Sequence, residues 1–122
     1  MIIVDTSIWI DHLRKGDRAM DQLLAHDAVM LHPFVLGEIA LGSLRNRKKV
    51  LAELETIPFA PMVAIDDVLE LIEQQGLSGS GIGLIDAHLL ASTLLDADDL
   101  LWTKDRRLAA VAERLGIDAA SA

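Results

Sequence analysis

Cysteine is missing from this chain of 122 residues. No disulfide can form, and a bound metal ion would have to do without thiolate ligands. Nowhere do the apolar residues run to the ~18 consecutive positions that a membrane-crossing helix requires. The opening Met-Ile-Ile-Val-Asp has no basic stretch ahead of its apolar residues, so it reads as a strand rather than a secretion signal. These absences lead us to expect a cytoplasmic protein. Bases are also in short supply. Eleven Lys and Arg face nineteen Asp and Glu, a formal charge of −8, which argues against a broad basic face of the kind that binds nucleic acid non-specifically.

Apolar side chains are abundant. They make up 52% of the chain, and the mean hydropathy is +0.35. That suits one compact domain with a real core, spanning residues 1–122 with a frayed tail from about residue 118. No internal repeat or linker interrupts it. The few bases are clustered: Arg14 and Lys15 with Arg18; Arg45 with Arg47, Lys48 and Lys49; Lys104 with Arg106 and Arg107. Each cluster reads equally as a solvated helix end or as a local patch able to hold a polyanion.

The pattern alternates short strands with helices. Met1 to Val4 reads as a buried strand, followed by a helix carrying Ile8, Trp9, Ile10 and Leu13. A helix from about Asp17 to His26, a strand from Ala28 to His32 and a helix from Pro33 to Leu44 come next. Asn46 to Thr56 reads as another helix, and Phe59 to Ile65 as an edge strand because of Pro61. Asp66 and Asp67 are expected to cap a helix. Beyond the loose segment from Gly76 to Gly81, Ile85 to Ala97 is helical, Leu100 to Thr103 a strand, and Arg106 to Leu115 a helix closed by Gly116. Ile117 starts a last short strand. Strands separated by helices imply a parallel sheet, and ligands gather beyond the carboxyl ends of such strands.

Four acids stand at informative places. Asp5 and Asp105 each follow a strand directly and so project from one sheet edge. Glu38 lies in Phe34-Val35-Leu36-Gly37-Glu38-Ile39-Ala40-Leu41, with Phe34 and Leu41 on its side of the helix. Asp86 follows a glycine-rich loop. Singly, each has a structural explanation: Asp5 and Asp105 as helix caps, Asp86 as an acid favoured by the helix dipole, Glu38 as a partner of Arg45. Together they describe one acidic pocket. Two unit charges ~4 Å apart cost about 4 kcal/mol at an effective dielectric near 20, so such a pocket holds protons or cations. An oxygen donor set without cysteine favours Mg²⁺ or Mn²⁺ over zinc. His12, His26, His32 and His88 lack HExxH-type spacing and read as surface or turn residues. Ser7 and Ser80 have no suitably spaced base, and no P-loop lysine is present, so no protein nucleophile is evident. Divalent ions in the pocket would activate water towards phosphorus, with Thr6, Ser7 and Thr103 orienting the carboxylates.

In order and spacing the segments Ile3-Val4-Asp5-Thr6-Ser7, Leu36 to Gly42, Gly81 to Ala91 and Leu101 to Asp105 resemble the PIN-domain ribonucleases, and within them the VapC-type toxins of bacterial toxin–antitoxin pairs. The resemblance covers essentially the whole chain. It implies an α/β, three-layer fold with a short parallel sheet flanked by helices, and Mg²⁺ or Mn²⁺ held by Asp5, Glu38, Asp86 and Asp105. It further implies endonucleolytic cleavage of a structured RNA such as tRNA, with Arg45, Lys48, Lys104 and Arg106 as RNA contacts. A homodimer and a cognate antitoxin covering the acidic groove are also implied, with Trp9 and the leucine-rich helices as candidate partner surfaces. Arg107 departs from the pattern, since family members often carry another acid there, which puts a second metal site in question.

Two other classes compete. A receiver-like Mg²⁺-binding signalling domain would use Asp66, Thr103 and Lys104, yet its first strand ends in an acidic pair where this chain has Asp5 alone, and Glu38 and Asp86 would be idle. A non-catalytic interaction module would use the acids only as caps and solvated faces, and Mn²⁺ would not change its melting temperature. An Asp-x-Asp phosphatase is excluded by Ser7, two residues after Asp5.

Overall fold

A computed structural model describes residues 1–119. Strands β1 (Ile2–Val4), β2 (Val29–Met30) and β3 (Leu100–Trp102) form a parallel sheet in the order β2-β1-β3. Parallel neighbours cannot be joined by a tight turn, so helices carry the chain between them. Helices α1 (Thr6–Lys15) and α2 (Arg18–Ala25) lie between β1 and β2. Helices α3 (Pro33–Leu41), α4 (Arg47–Leu54), α5 (Ile65–Gln74) and α6 (Leu84–Leu94) lie between β2 and β3, and α7 (Arg106–Arg114) follows. This is the expected α/β architecture.

The core forms where the central strand meets the helices. Ile3, Val4, Ile8, Leu89, Leu90, Leu101 and Leu108 are fully enclosed. Trp9 is 1% exposed and belongs to this core, which removes it as a partner surface. Seven consecutive residues of α6, Ala87 to Thr93, are buried, and the helix packs against both β3 and α5. Two of the three polar residues in this run are satisfied: Ser92 Oγ donates to the Pro61 carbonyl and Thr93 Oγ1 to the Leu89 carbonyl, both at 2.7 Å, while His88 Nδ1 has no hydrogen-bond partner among the described residues.

Several boundaries differ from the sequence-based expectation, each for a local reason. Only Phe59 of the expected strand 59–65 pairs, in a single bridge with Leu31; Pro61, two residues on, cannot donate to a ladder. Helix α3 stops at Leu41, and the Arg47 guanidinium takes up the freed carbonyls of Ala40 and Gly42. The cap of α5 is Ala64 rather than Asp66 or Asp67, which sit in the first turn and favour the helix through its dipole. Asp118 pairs with Leu101 in a parallel bridge, so the chain is still tied to the sheet at a position expected to fray. The rest of the expected frayed tail, residues 120–122, lies outside the described residues. Among the described residues no helix is long and apolar enough to cross a membrane.

Candidate active site

All strands run the same way, so their carboxyl ends share one edge. Val4 is in register with Trp102, and the Asp5 N–H donates to the Trp102 carbonyl at 2.9 Å. Asp5 and Thr103 are thereby fixed side by side. Asp5 caps α1, with Oδ1 accepting from the Thr6 N–H at 2.7 Å. Its Oδ2 accepts from Thr103 Oγ1, also at 2.7 Å. Thr103 is 5% exposed, and its hydroxyl oxygen accepts from the Asp105 N–H at 3.0 Å. Asp105 in turn caps α7 through Oδ1 and the Leu108 N–H, again at 3.0 Å. One buried hydroxyl thus connects two acids, and capping and convergence coexist.

Asp86 approaches from α6. It is the third residue of that helix, and its Oδ2 accepts from the Gly83 N–H at 3.2 Å. Burial pushes its carboxyl above the ordinary carboxylate range; the Gly83 N–H pulls the other way. The negative charges of Asp5, Asp105 and Glu38 each push it up further. Asp86 therefore feels all three other acids, contributed by α3 and by the ends of β1 and β3. The four thus share one electrostatic neighbourhood, although among the described residues no three of them stand as a metal-holding group.

Their surroundings differ from the apolar face expected around Glu38. Asp5 and Asp86 are half-buried, whereas Glu38 and Asp105 are exposed. Helix α3 buries Val35 and Ile39 and turns Glu38 outward, and Leu41 beside it is 89% exposed. Of the apolar neighbours that made Glu38 look enclosed, Leu41 lies in solvent and Phe34 is half-buried against the His32 and His88 rings. Glu38 makes no ion pair with Arg45 among the described residues.

Among the supporting groups, Thr103 stands where expected. Thr6 contributes its backbone N–H, and Ser7 is exposed with no hydrogen bond. Lys104 lies 3.8 Å from Asp11 rather than facing the acids. Arg45 lines a cavity of about 460 Å³ with Ile10, Leu13 and Ile39, and Lys48 and Arg106 are exposed. Gly83 went unnoticed in the sequence, though a glycine three residues before an acid is the signal of an N-terminal helix box.

Two histidines overturn their reading as surface residues. His32 is 0% and His88 4% exposed, with the Phe34 ring 5.3 Å from His32 and 4.8 Å from His88. His32 caps α3 by accepting the Phe34 N–H on Nδ1 at 3.0 Å, which makes the ring neutral with its proton on Nε2. Burial, reinforced by His88, lowers its pKa to about 4. A histidine ahead of a proline at the first turn of a helix was the available clue.

Compared with known protein families, residues 2–114 match the PIN domain. The chain belongs to the PIN-domain family. Within it, the chain is similar to Ribonuclease VapC32 of Mycobacterium tuberculosis, strains CDC 1551 / Oshkosh and ATCC 25618 / H37Rv. Each is 44% identical over 117 residues, covering 96% of this chain and 94% of the relative. A VapC-type PIN domain is thus what the sequence motifs indicated.

The acidic cluster of this PIN domain can be tested for fit to a divalent cation. Its donors are all carboxylate oxygens, suited to a hard ion. Asp86 Oδ1, Asp105 Oδ2 and both Glu38 oxygens make no hydrogen bond among the described residues. No lysine or arginine pairs with any of the four among the described residues. Mutual repulsion without a resident counter-charge is the condition a cation relieves. As they stand, no three such groups among the described residues form a ready-made chelate. Closing around an ion therefore calls for side-chain rotation, which the exposure of Glu38 and Asp105 allows.

Proposed function

We propose that this protein is a Mg²⁺- or Mn²⁺-dependent endoribonuclease, the toxin of a bacterial toxin–antitoxin pair, acting on structured RNA such as tRNA. The observation that carries this reading is the raised Asp86 carboxyl, set among Asp5, Asp105 and Glu38 with no protein cation to offset them. The name Ribonuclease for a relative 44% identical over nearly the full length supports RNA as the substrate.

Asp5, Glu38, Asp86 and Asp105 would hold the cation. When bound, the cation would supply an activated water and neutralise charge developing on the phosphate. The protein's part is positional. Thr103 fixes Asp5 and the backbone at Asp105, Gly83 holds Asp86, and the sheet register keeps the β1 and β3 ends together. Three of the four acids, Asp5, Asp86 and Asp105, are thus anchored by 2.7–3.2 Å hydrogen bonds, leaving Glu38 free to adjust.

The reading includes a homodimer and a cognate antitoxin as partners. Ile65, Leu69, Leu84 and Leu95 on and beside the packed helices α5 and α6 are 47–60% exposed, which supports an apolar partner surface there. Incubating purified protein with RNA, with and without Mn²⁺, tests the activity. Cleavage that persists in a chelator, or in the Asp86→Asn variant, would rule the reading out.

A further inference from the structure

Beside the acidic centre lies a second feature of opposite sign. A groove of about 450 Å³ is lined by Ser80, Arg106, Arg107, Ala110, Val111 and Arg114. On α7 these positions recur at three- and four-residue spacing and so form one stripe, about 12 Å from Arg106 to Arg114 at 1.5 Å per residue. Arginines stand at both ends with Ala110 and Val111 between them. Neither Arg106 nor Arg107 makes a hydrogen bond or ion pair among the described residues, and Arg114 donates only to the Gln75 carbonyl, at 2.8 Å. In a chain of formal charge −8, three arginines without an acidic partner in one groove are unusual. A separate observation concerns Ser80: its hydroxyl is buried and has no hydrogen-bond partner. Such a group is normally satisfied, so it is available to a bound acceptor.

The segments that line the groove lead directly into the acidic centre. Asp105 immediately precedes Arg106. The loop that supplies Ser80 continues through Gly81, which lies directly beneath the Arg107 side chain, to Gly83, whose N–H holds Asp86. We infer that the α7 groove binds the backbone of the RNA strand entering the acidic centre, with Arg106, Arg107 and Arg114 on successive phosphates and the Ser80 hydroxyl donating to one of them. The inference rests on the ribonuclease reading above and extends it to where the substrate is held. Guanidinium groups match phosphate oxygens in pairs. A stripe two helical turns long exceeds what one small anion needs. An acid-lined centre repels the very phosphate it must cleave, so attraction has to come from cations just outside it.

The test is binding, read without turnover. All proteins carry Asp86→Asn so that RNA survives, and the probe is a fluorescein-labelled single-stranded RNA of about 12 nucleotides, followed by anisotropy between about 50 and 200 mM salt. Arg106→Gln together with Arg114→Gln is expected to weaken binding about tenfold at the lower salt and to flatten the log–log salt dependence by about 1.4; Arg106→Gln alone flattens it by about 0.7. Arg106 is exposed and makes no hydrogen bond or ion pair among the described residues, so the single variant should keep the parent's melting temperature and carry the test if the double does not fold. Unchanged affinity and slope in these variants, or no RNA binding by the parent, would overturn the inference. So would displacement of the probe by polyglutamate as readily as by unlabelled RNA, which would assign the groove to an acidic polypeptide. Failure of the ribonuclease reading shows separately, as the absence of Mn²⁺-dependent RNA cleavage by the wild-type protein.

Discussion

The hydroxyl of Thr103 and the carboxylate of Asp5, ninety-eight positions apart in the chain, are joined by a partly buried 2.7 Å hydrogen bond. The same oxygen accepts from the Asp105 N–H. Thr103→Val keeps the shape and removes both bonds. We expect it to cost about 1–3 kcal/mol of stability, because an amide and a carboxylate oxygen lose their partner in a half-buried place. RNA cleavage should fall as well, since two acids lose their common anchor. Denaturant unfolding and initial cleavage rates measured on one preparation check both; wild-type values for the two together would refute the anchoring role.

Asp86→Asn should separate stability from activity. The ionised Asp86 carboxyl is disfavoured by burial and by three like charges, so its neutral replacement is expected to melt higher than the wild type in metal-free buffer at neutral pH. Cleavage should drop by roughly 10²–10³-fold or more, the size of losing one preorganised electrostatic group. The Mn²⁺-induced rise in melting temperature should shrink in parallel. Thermal melts with and without Mn²⁺ give both stability readouts.

His32 sets a pH dependence of opposite sign to that of Asp86. Folded His32 stays neutral down to about pH 4, while the ordinary histidine value is 6.5. Between those values the unfolded chain binds more protons, so stability rises with pH and is lost as pH falls through this window. The full effect is about 3 kcal/mol. Asp86, raised above its ordinary 3.8, loses its contribution as pH rises past that value, which flattens the lowest part of the curve. In His32→Asn, whose amide oxygen can still accept the Phe34 N–H, the slope between about pH 6.5 and 4 should largely disappear. Chemical denaturation across that range measures it.

Gly81 has φ +85, and a Cβ there would stand 2.7 Å from Arg107 Cδ. Gly81→Ala should therefore destabilise the protein by about 1–2 kcal/mol through the left-handed backbone, with additional strain from the contact. Because the loop continues to Gly83, cleavage should weaken too. Adding Arg107→Ala relieves the contact and leaves the backbone penalty. A double-mutant cycle should then show recovery of only part of the stability. Full recovery, or none, would contradict this account.

What could be read from residue order alone was whatever depends on near neighbours. Asp5 before Thr6-Ser7 and Asp105 before Arg106 are capping patterns complete within four residues, and the structure contains both caps. Strand–helix alternation placed both acids on one edge because parallel strands leave no other arrangement. The helix from Arg106 was legible from its apolar spacing and the glycine that ends it. Short strands were less so, and Phe59–Ile65 failed because one bridge from Leu31 is a tertiary contact with little local signature.

Burial belonged to the tertiary structure. Phe34 and Leu41 on one side of α3 looked like a buried face around Glu38, but the helix buries Val35 and Ile39 instead, which leaves Leu41 in solvent and Phe34 only half-buried. His32 and His88, polar by type, were enclosed with Phe34 because the helices that carry them converge. Thr103 became the link between Asp5 and Asp105 only when β3 docked beside β1 in register. Local sequence specifies which backbone groups need partners and which residues can cap them. Which side of a helix meets the sheet follows from the sum of many distant apolar contacts, and that sum is evaluated only in the folded chain.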